Sequence, residues 1–211
     1  MDGNNFNWFD ANAYRLNDWG NYDQFVNTNM RSSYDITDRP PVNELSKNIS
    51  YMAMLYAGDS TVTEAWSGRY VTNMMAAYAA CENLTGNPVC GPNVVNMLGT
   101  YSGCDNLTGS PVCGPNVRDM NFAYSYCSKL TGNPVCGDNV INMSSTYQGC
   151  NNLTGSPVCG DNVMDMSDAY AECSNLTGSP VCGDKVIDMS DAYKGCNNLT
   201  GSPVCGDNVI N

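Results

Sequence analysis

The chain has 211 residues, of which 42% are hydrophobic, and its 9 Lys and Arg against 21 Asp and Glu give a formal net charge of -12. This acidic balance argues against nucleic acid or an anionic membrane surface as a partner, because both are bound by clusters of Lys and Arg. The chain contains no histidine, which removes the commonest general base and the commonest metal ligand. No apolar run approaches the length of a membrane span, and the sequence after Met1 lacks the basic and apolar regions of a signal peptide. We therefore expect no membrane insertion and no export by the signal-peptide route.

Residues 1–48 differ in composition from the rest of the chain, with eight aromatic residues among ten asparagines and no clear helical or strand periodicity. A segment this short cannot close a hydrophobic core of its own, yet so many aromatic side chains rarely stay exposed to solvent. Two compatible interpretations remain open: an arm that folds over the first repeat, and an attachment arm that docks into another protein. The residues predicted to carry the attachment are Phe6, Trp8, Phe9, Trp19 and Phe25.

Residues 49–70 are predicted to form a degenerate capping repeat. Met52 and Tyr56 occupy the places of a methionine and a tyrosine in the following repeats, but both repeat cysteines are missing, one residue is deleted and Trp66 is added. Terminal repeats of solenoids are commonly atypical in this way, because one of their faces has no neighbouring repeat to pack against.

Residues 71–211 contain six copies of a 23-residue unit and the start of a seventh, and each complete copy carries two cysteines in register. A strict period of this length is typical of a solenoid, in which each unit buries its apolar face against its neighbours. In the first half of each unit the apolar residues have helical spacing, as Val94, Met97 and Tyr101 show. Proline or aspartate stands two residues before each such valine, as at Pro92, and both residue types favour the first turn of a helix.

The second half of each unit, such as Leu107–Cys113, is predicted to be short and extended with alternate residues facing the interior. Pro111 is awkward in a sheet, which limits the predicted strand to about Asn106 to Gly109. The fold prediction is therefore an α/β solenoid of 23-residue coils, each with one short helix and one short strand, stacked into a parallel ladder behind a non-repeat N-terminal arm. Two coils supply the candidate core residues: Val94, Met97, Tyr101, Cys104, Leu107, Cys113, Val140, Met143, Tyr147, Cys150, Leu153 and Cys159.

The repeat motif from Asn139 to Thr154 reads N-V-x-N-M-x-x-x-Y-x-x-C-x-N-L-T. It resembles the BspA-like leucine-rich repeats, which occur in surface proteins of bacteria and in proteins of phages that infect gut bacteria. The resemblance covers residues 71–211, and this chain departs from the longer form of the family by a shorter loop. The resemblance implies a leucine-rich-repeat-like solenoid that binds other molecules or serves as a structural part, and it implies no catalytic residues.

The twelve cysteines form two columns, both predicted to face the interior. Buried reduced thiols, which act as small apolar side chains, are the first interpretation. Disulfides within coils, such as Cys81–Cys90 and Cys104–Cys113, are the second, since the count is even and the pairing one to one. Metal binding is the third, although the spacing lacks the Cys-x-x-Cys pairs of zinc sites.

Three further columns have a functional interpretation beside a structural one. The tyrosines around Tyr101 resemble an aromatic platform for sugars, but their place on the apolar stripe favours stacking in the core. The column that begins at Asp138 resembles a calcium ladder, but helix capping explains it without a metal. The asparagines around Asn106 begin Asn-Leu-Thr sequons, and we expect them to bond a turn rather than to carry glycans.

The sequence ends three residues into the seventh unit, which leaves three interpretations: a fragment of a longer array, an end that packs on another subunit, and a frayed last coil. We predict that another chain, such as a second copy, covers the C-terminal end. Because the polar residues repeat in every coil rather than converging once, we predict neither an enzyme nor a cofactor or metal site. The expected function is a structural or host-binding component of a phage virion, displayed from an arm that contacts other virion or surface proteins. The alternative is an adhesin or protein-interaction module of the same repeat family at the bacterial cell surface.

Overall fold

The computed structural model describes residues 49–210, which form a solenoid of coils stacked along one axis. Seven tyrosines from successive coils, Tyr56 to Tyr193, stack in one column, with ring centroids 5.5–5.7 Å apart and interplanar angles of 2–16°. The predicted tandem repeat is therefore confirmed as a stack of coils in register. The predicted attachment arm lies outside the described residues, and so do its aromatic residues Phe6, Trp8, Phe9, Trp19 and Phe25.

Neither an α-helix nor a continuous β-strand occurs within residues 49–210. Regular pairing is limited to isolated parallel bridges, each one residue wide, between neighbouring coils. The bridge pairs are Tyr51–Asn73, Asn73–Asn96, Asn96–Asp119, Asp119–Asn142, Asn142–Asp165, Asp165–Asp188 and Val181–Val204. The prediction of an α/β, leucine-rich-repeat-like coil with one short helix and one short strand is therefore wrong.

The segment predicted to be helical is a ribbon of overlapping turns. Its backbone N–H groups alternate between two kinds of partner: the Thr100 N–H donates to the Met97 carbonyl of its own coil at 3.0 Å, whereas the Tyr101 N–H donates to the Ala123 carbonyl of the next coil at 2.8 Å. An α-helix would direct every N–H to the residue four positions back. Because half of these N–H groups bond the neighbouring coil instead, the ribbon cross-links the stack directly.

Backbone conformation explains why the helical spacing misleads. Gly99 and Gly103 have φ of +59° and +71°, and the equivalent Ala76 and Ala80 have φ of +49° and +55°. Two left-handed residues four positions apart interrupt any α-helix, because left-handed conformation is not part of a right-handed helix. The ribbon still places a side chain on the same face every three or four residues, so the apolar spacing imitates a helix.

Pro92 lies in a β-turn rather than in the first turn of a helix. The turn runs from Gly91 to Val94, and the Val94 N–H donates to the Gly91 carbonyl at 3.2 Å. Proline suits the second position of such a turn because its ring fixes φ near the required value. The alternation of proline and aspartate at this position therefore reflects turn chemistry.

The strand predicted in the second half of the unit, from about Asn106 to Gly109, is wrong as well. Among the described residues, this part of the unit forms a bridge only between Val181 and Val204. Gly109, inside the predicted strand, has φ of +82°, which is far from extended backbone. The segment is therefore an irregular connection that leads from one ribbon of turns to the next.

The core consists of columns of apolar side chains that run the length of the stack. The valine, methionine, tyrosine, first-cysteine and leucine positions of the coils are fully buried at Val94, Met97, Tyr101, Cys104, Leu107, Val140, Met143, Tyr147, Cys150 and Leu153. Cys113 and Cys159 are half-buried and pack against this core. In the coil of residues 49–70, Met52, Tyr56 and Val62 are buried and continue the same columns.

Within residues 49–210 the structure has no helical segment of the length and apolarity that a membrane crossing requires.

Candidate functional site

From Tyr78 to Tyr170, each hydroxyl of the tyrosine column bonds the backbone of the residue twelve positions earlier, across the interior of the stack. The Tyr101 hydroxyl donates to the Val89 carbonyl at 2.7 Å and accepts the Val89 N–H at 3.0 Å. The same pair of bonds joins Tyr147 to Val135. Burial raises the pKa of Tyr101 well above its ordinary value of 10.0. These hydroxyls are therefore fully engaged in the coil, and the column offers no aromatic platform at the surface.

The two cysteine columns are separate. The Cys104 thiol donates to the Tyr78 carbonyl of the preceding coil at 3.0 Å, and burial raises its pKa well above 9.0, with Cys127 and Cys81 of its own column as further causes. For the other column, burial raises the pKa of Cys113 to about 12, and the nearby thiol is Cys90. No disulfide joins cysteines within residues 49–210. The first column is buried, as the thiol interpretation predicts, whereas the second is half-buried at Cys90, Cys113, Cys136 and Cys159 and exposed at Cys205, and the within-coil pairs are not formed.

Two asparagine columns bind each coil to the one before it. The Asn106 side-chain amide donates to the Glu82 carbonyl at 2.7 Å, and the Asn116 amide donates to the Pro92 carbonyl at 2.9 Å. The sequon asparagines therefore do bond backbone, but in the preceding coil. Where lysine replaces asparagine in the first column, the Lys129 ammonium donates to the Asn106 side-chain oxygen at 2.6 Å. These columns have a structural purpose that accounts for their repetition.

Two columns of apolar side chains reach the solvent: a short one of Val158, Val181 and Val204, and a longer one that lies on the other half of the repeat unit. We name the longer column the apolar stripe; its members follow the repeat valine of their coils and are Val95, Ile141, Met164, Ile187 and Ile210. They are 38–76% exposed. Thr72 and Arg118 hold this position in the other two coils.

The backbone beneath the apolar stripe is continuous. The Ile141 N–H donates to the Arg118 carbonyl, the Met164 N–H to Ile141, and the Ile187 N–H to Met164, each at 2.8 Å. Successive stripe residues are therefore joined by direct hydrogen bonds. This one-residue-wide ladder holds the exposed side chains at the spacing of the coils, roughly 5 Å.

An acidic column runs beside the apolar stripe. We name it the acidic edge; its members are exposed and stand three residues before the stripe residue of the same coil: Asp138, Asp161, Asp184 and Asp207. The tight turn from Gly137 to Val140 separates Asp138 from Ile141. Within residues 49–210, no three Cys, Asp or Glu side chains converge as metal ligands would. The stripe and its edge together form an apolar surface with negative charge along one side.

The N-terminal end of the stripe borders a shallow groove. Its volume is about 500 Å³, and it is lined by Tyr70, Thr72, Asn93, Val95, Asn116 and Arg118. The Arg69 guanidinium lies 5.0 Å from the centre of the Tyr70 ring, a cation–π distance. This end of the face is therefore more basic than the end beside the acidic edge.

The predicted core residues of both representative coils lie in or against the interior, so they bring no reactive groups to the surface. The apolar stripe is the feature that sequence reasoning missed. Its signal was present: the residue after the repeat valine is apolar in five of the seven copies from Thr72 to Ile210. Comparisons with protein-family models, curated proteins and solved structures find no match to this chain.

Proposed function

We propose that this chain is a non-enzymatic docking protein whose apolar stripe and acidic edge bind a partner segment carrying both apolar and cationic side chains. The observation that carries the proposal is the exposed apolar residue that recurs in four successive coils, from Ile141 to Ile210, on a backbone joined by hydrogen bonds. Contiguous exposed apolar surface is characteristic of binding sites. A rigid site also binds without first losing conformational entropy.

The charge of the face favours a cationic partner over a second copy of this chain. From Asp138 onward, the acidic edge supplies four carboxylates to the surface that it forms with the apolar stripe. Lys185, which follows Asp184, is the basic residue beside it. Two such faces packed together would bring their carboxylates close, which costs free energy in a partly desolvated interface. A segment with Lys or Arg beside apolar residues complements the same surface.

The setting that we propose is a phage virion, in which the chain is a structural or host-binding component that residues 1–48 attach to other virion proteins. This setting rests on the repeat motif and on the aromatic composition of residues 1–48. The alternative is a bacterial cell-surface adhesin. Peptides of this chain in purified particles would support the virion, and recovery with the cell envelope alone would support the adhesin.

The docking proposal is tested with a fluorescein-labelled helical peptide of leucine and lysine, whose anisotropy is measured against the full chain. The comparison peptide has glutamate at every lysine position. We expect saturable binding of the lysine peptide that weakens as salt is added, because surface charges are screened. Equal binding of the two peptides would contradict the proposal.

Matched variants locate the binding to the stripe. Ile187 and Val158 are both 38% exposed, but only Ile187 belongs to the stripe. Burying the exposed part of Ile187 should contribute about 1 kcal/mol, so Ile187→Ser should weaken binding about five-fold. Val158→Ser should leave the affinity unchanged. Equal losses in both variants would show that the peptide binds elsewhere.

A charge pair gives the second comparison. Asp161→Asn removes a carboxylate of the acidic edge, and Asp105→Asn removes an exposed carboxylate outside it. We expect only Asp161→Asn to weaken binding and to reduce its salt dependence. Sedimentation of the free chain tests whether a second copy of the chain covers the stripe instead. A dimer that Ile187→Ser dissociates would assign the stripe to a second copy and would overturn the proposal of a cationic partner.

A further inference from the structure

The second cysteine column is held in a repeated arrangement over its first four members. The thiols of Cys90, Cys113, Cys136 and Cys159 each donate to the carbonyl of the following glycine at 3.5–3.7 Å. A methyl group built on Gly114 would lie only 2.9 Å from the Cys90 sulfur. Each sulfur in this arrangement is therefore fixed between its own glycine and the backbone of the next coil.

Cys182 departs from this arrangement. Its sulfur lies 3.5 Å from the Met189 sulfur and 3.8 Å from the Tyr193 hydroxyl. Cys182 is thus the member of the column whose thiol turns away from its own glycine and towards side chains of the next coil. Cys205 belongs to that same coil.

The backbone around this pair has the spacing that a disulfide requires. Val181 and Val204 form a parallel bridge, and the Cys182 N–H donates to the Val204 carbonyl at 3.0 Å. Cys182 and Cys205 each follow a bridge residue, so they stand opposite one another in neighbouring coils at roughly 5 Å. Disulfides join Cα atoms that are about 4.4–6.8 Å apart.

We propose that Cys182 and Cys205 form an oxidation-dependent disulfide that staples the last described coil to the coil before it. The oxidant is a peroxide. The Cys205 thiolate attacks one peroxide oxygen and becomes a sulfenic acid as the O–O bond breaks; the hydroxide that leaves takes up the proton that the thiol had lost and becomes water. The Cys182 thiol then attacks the Cys205 sulfur, the S–O bond breaks, and a second water leaves with the thiol proton. Two thiols and one hydrogen peroxide thus give one disulfide and two waters.

Exposure assigns the order of the two steps. Cys205 is exposed, whereas the Cys182 side chain is 8% exposed, so peroxide reaches Cys205 first. Burial also raises the pKa of Cys182 to about 11, which lowers its thiolate fraction and disfavours its direct reaction with peroxide. The first cysteine column is buried and bonded to tyrosine carbonyls, as at Cys196 and Tyr170, and therefore does not compete.

The test oxidises the reduced full chain with one equivalent of hydrogen peroxide at pH 8, blocks remaining thiols with N-ethylmaleimide and maps the tryptic peptides by mass spectrometry. Cleavage after Lys185 and Lys194 separates the two cysteines of the pair. We expect two fewer alkylated thiols and one cross-link that joins Cys182 to Cys205. Native-state trypsin cleavage between the two cysteines should slow about ten-fold in the oxidised form, because the staple suppresses local opening.

Two single variants decide the assignment. Cys205→Ser should abolish the cross-link without disturbing the fold, since the side chain is exposed, and Cys196→Ser is the control that shares the same tryptic peptide and should retain it. A cross-link through Cys196 or within the column from Cys90 to Cys159 would overturn the proposal. So would a disulfide-linked dimer as the main product, or a cross-link that survives in Cys205→Ser.

Discussion

Replacing Tyr147 by phenylalanine tests whether the tyrosine hydroxyls hold the coils closed. The hydroxyl donates to the Val135 carbonyl at 2.7 Å and accepts the Val135 N–H at 3.1 Å. Tyr147→Phe keeps the stacked ring and leaves both backbone groups without this partner. Each lost bond should cost about 1 kcal/mol, so the free energy of unfolding should fall by about 2 kcal/mol. In a urea titration followed by circular dichroism, this corresponds to a midpoint about 1 M lower at an unchanged slope.

Tyr193 supplies the matched control in the same column. Its hydroxyl lies 3.8 Å from the Cys182 sulfur, and this single contact is weaker than the pair of backbone hydrogen bonds that Tyr147 makes. Tyr193→Phe should therefore lower the free energy of unfolding by less than about 0.5 kcal/mol. Equal urea midpoints for the two variants would refute the role of the Tyr147 hydroxyl, because the stacked rings would then account for all of the stabilisation. A changed slope for Tyr147→Phe alone would mean that the variant alters the unfolding unit and not the bond.

Two further predictions concern charge and protonation. Asp119→Asn should raise the free energy of unfolding at pH 7 by on the order of 1 kcal/mol, because burial raises the pKa of Asp119 and its charged form disfavours the folded state. The gain should shrink near pH 4, where the aspartate of the unchanged protein becomes protonated. Asparagine already holds the equivalent position at Asn96 and Asn142, where its side-chain oxygen accepts the same turn hydrogen bond. Burial also raises the pKa of Cys90 to about 11 and of Cys136 to about 12 from an ordinary value of 9.0. The contribution of these neutral thiols to the free energy of unfolding is therefore complete below pH 9 and is lost as the pH rises towards 12. Urea midpoints that stay constant from pH 8 to pH 11 would contradict this.

The sequence allowed the interior to be predicted but not the path of the backbone. Val94, Met97, Tyr101 and Cys104 are all fully buried, because a period of 23 residues demands that equivalent side chains meet in successive coils. The same spacing is satisfied by a helix and by a ribbon of overlapping turns. Periodicity reports which side chains share a face, and it does not report where the backbone N–H groups bond.

The regular spacing of the apolar residues does not show the backbone conformation, but the glycines of the ribbon indicate it. Gly103, Gly149 and Gly195 hold one position of the ribbon, and all three have φ of +71° to +75°. The position is obscured because Tyr126 and Glu172 hold it in other coils, also with positive φ. Left-handed conformation is unusual in these residue types, so only the neighbouring coils, which bond both sides of the ribbon, hold the backbone there. A pattern read one unit at a time gives no access to that constraint.

The division of labour among the repeated positions is the strongest reason to regard the apolar stripe as a functional surface. Asn116 repeats because its amide bonds the coil before it, and Tyr101 repeats because its hydroxyl bonds the backbone across the interior of the stack. Ile141 bonds the neighbouring coils through its backbone N–H and carbonyl, which any residue except proline can supply, and the residue is 41% exposed. Solubility favours a polar side chain at an exposed position. The recurrence of an apolar side chain there, beside a row of carboxylates, is therefore the observation on which the proposed docking surface rests.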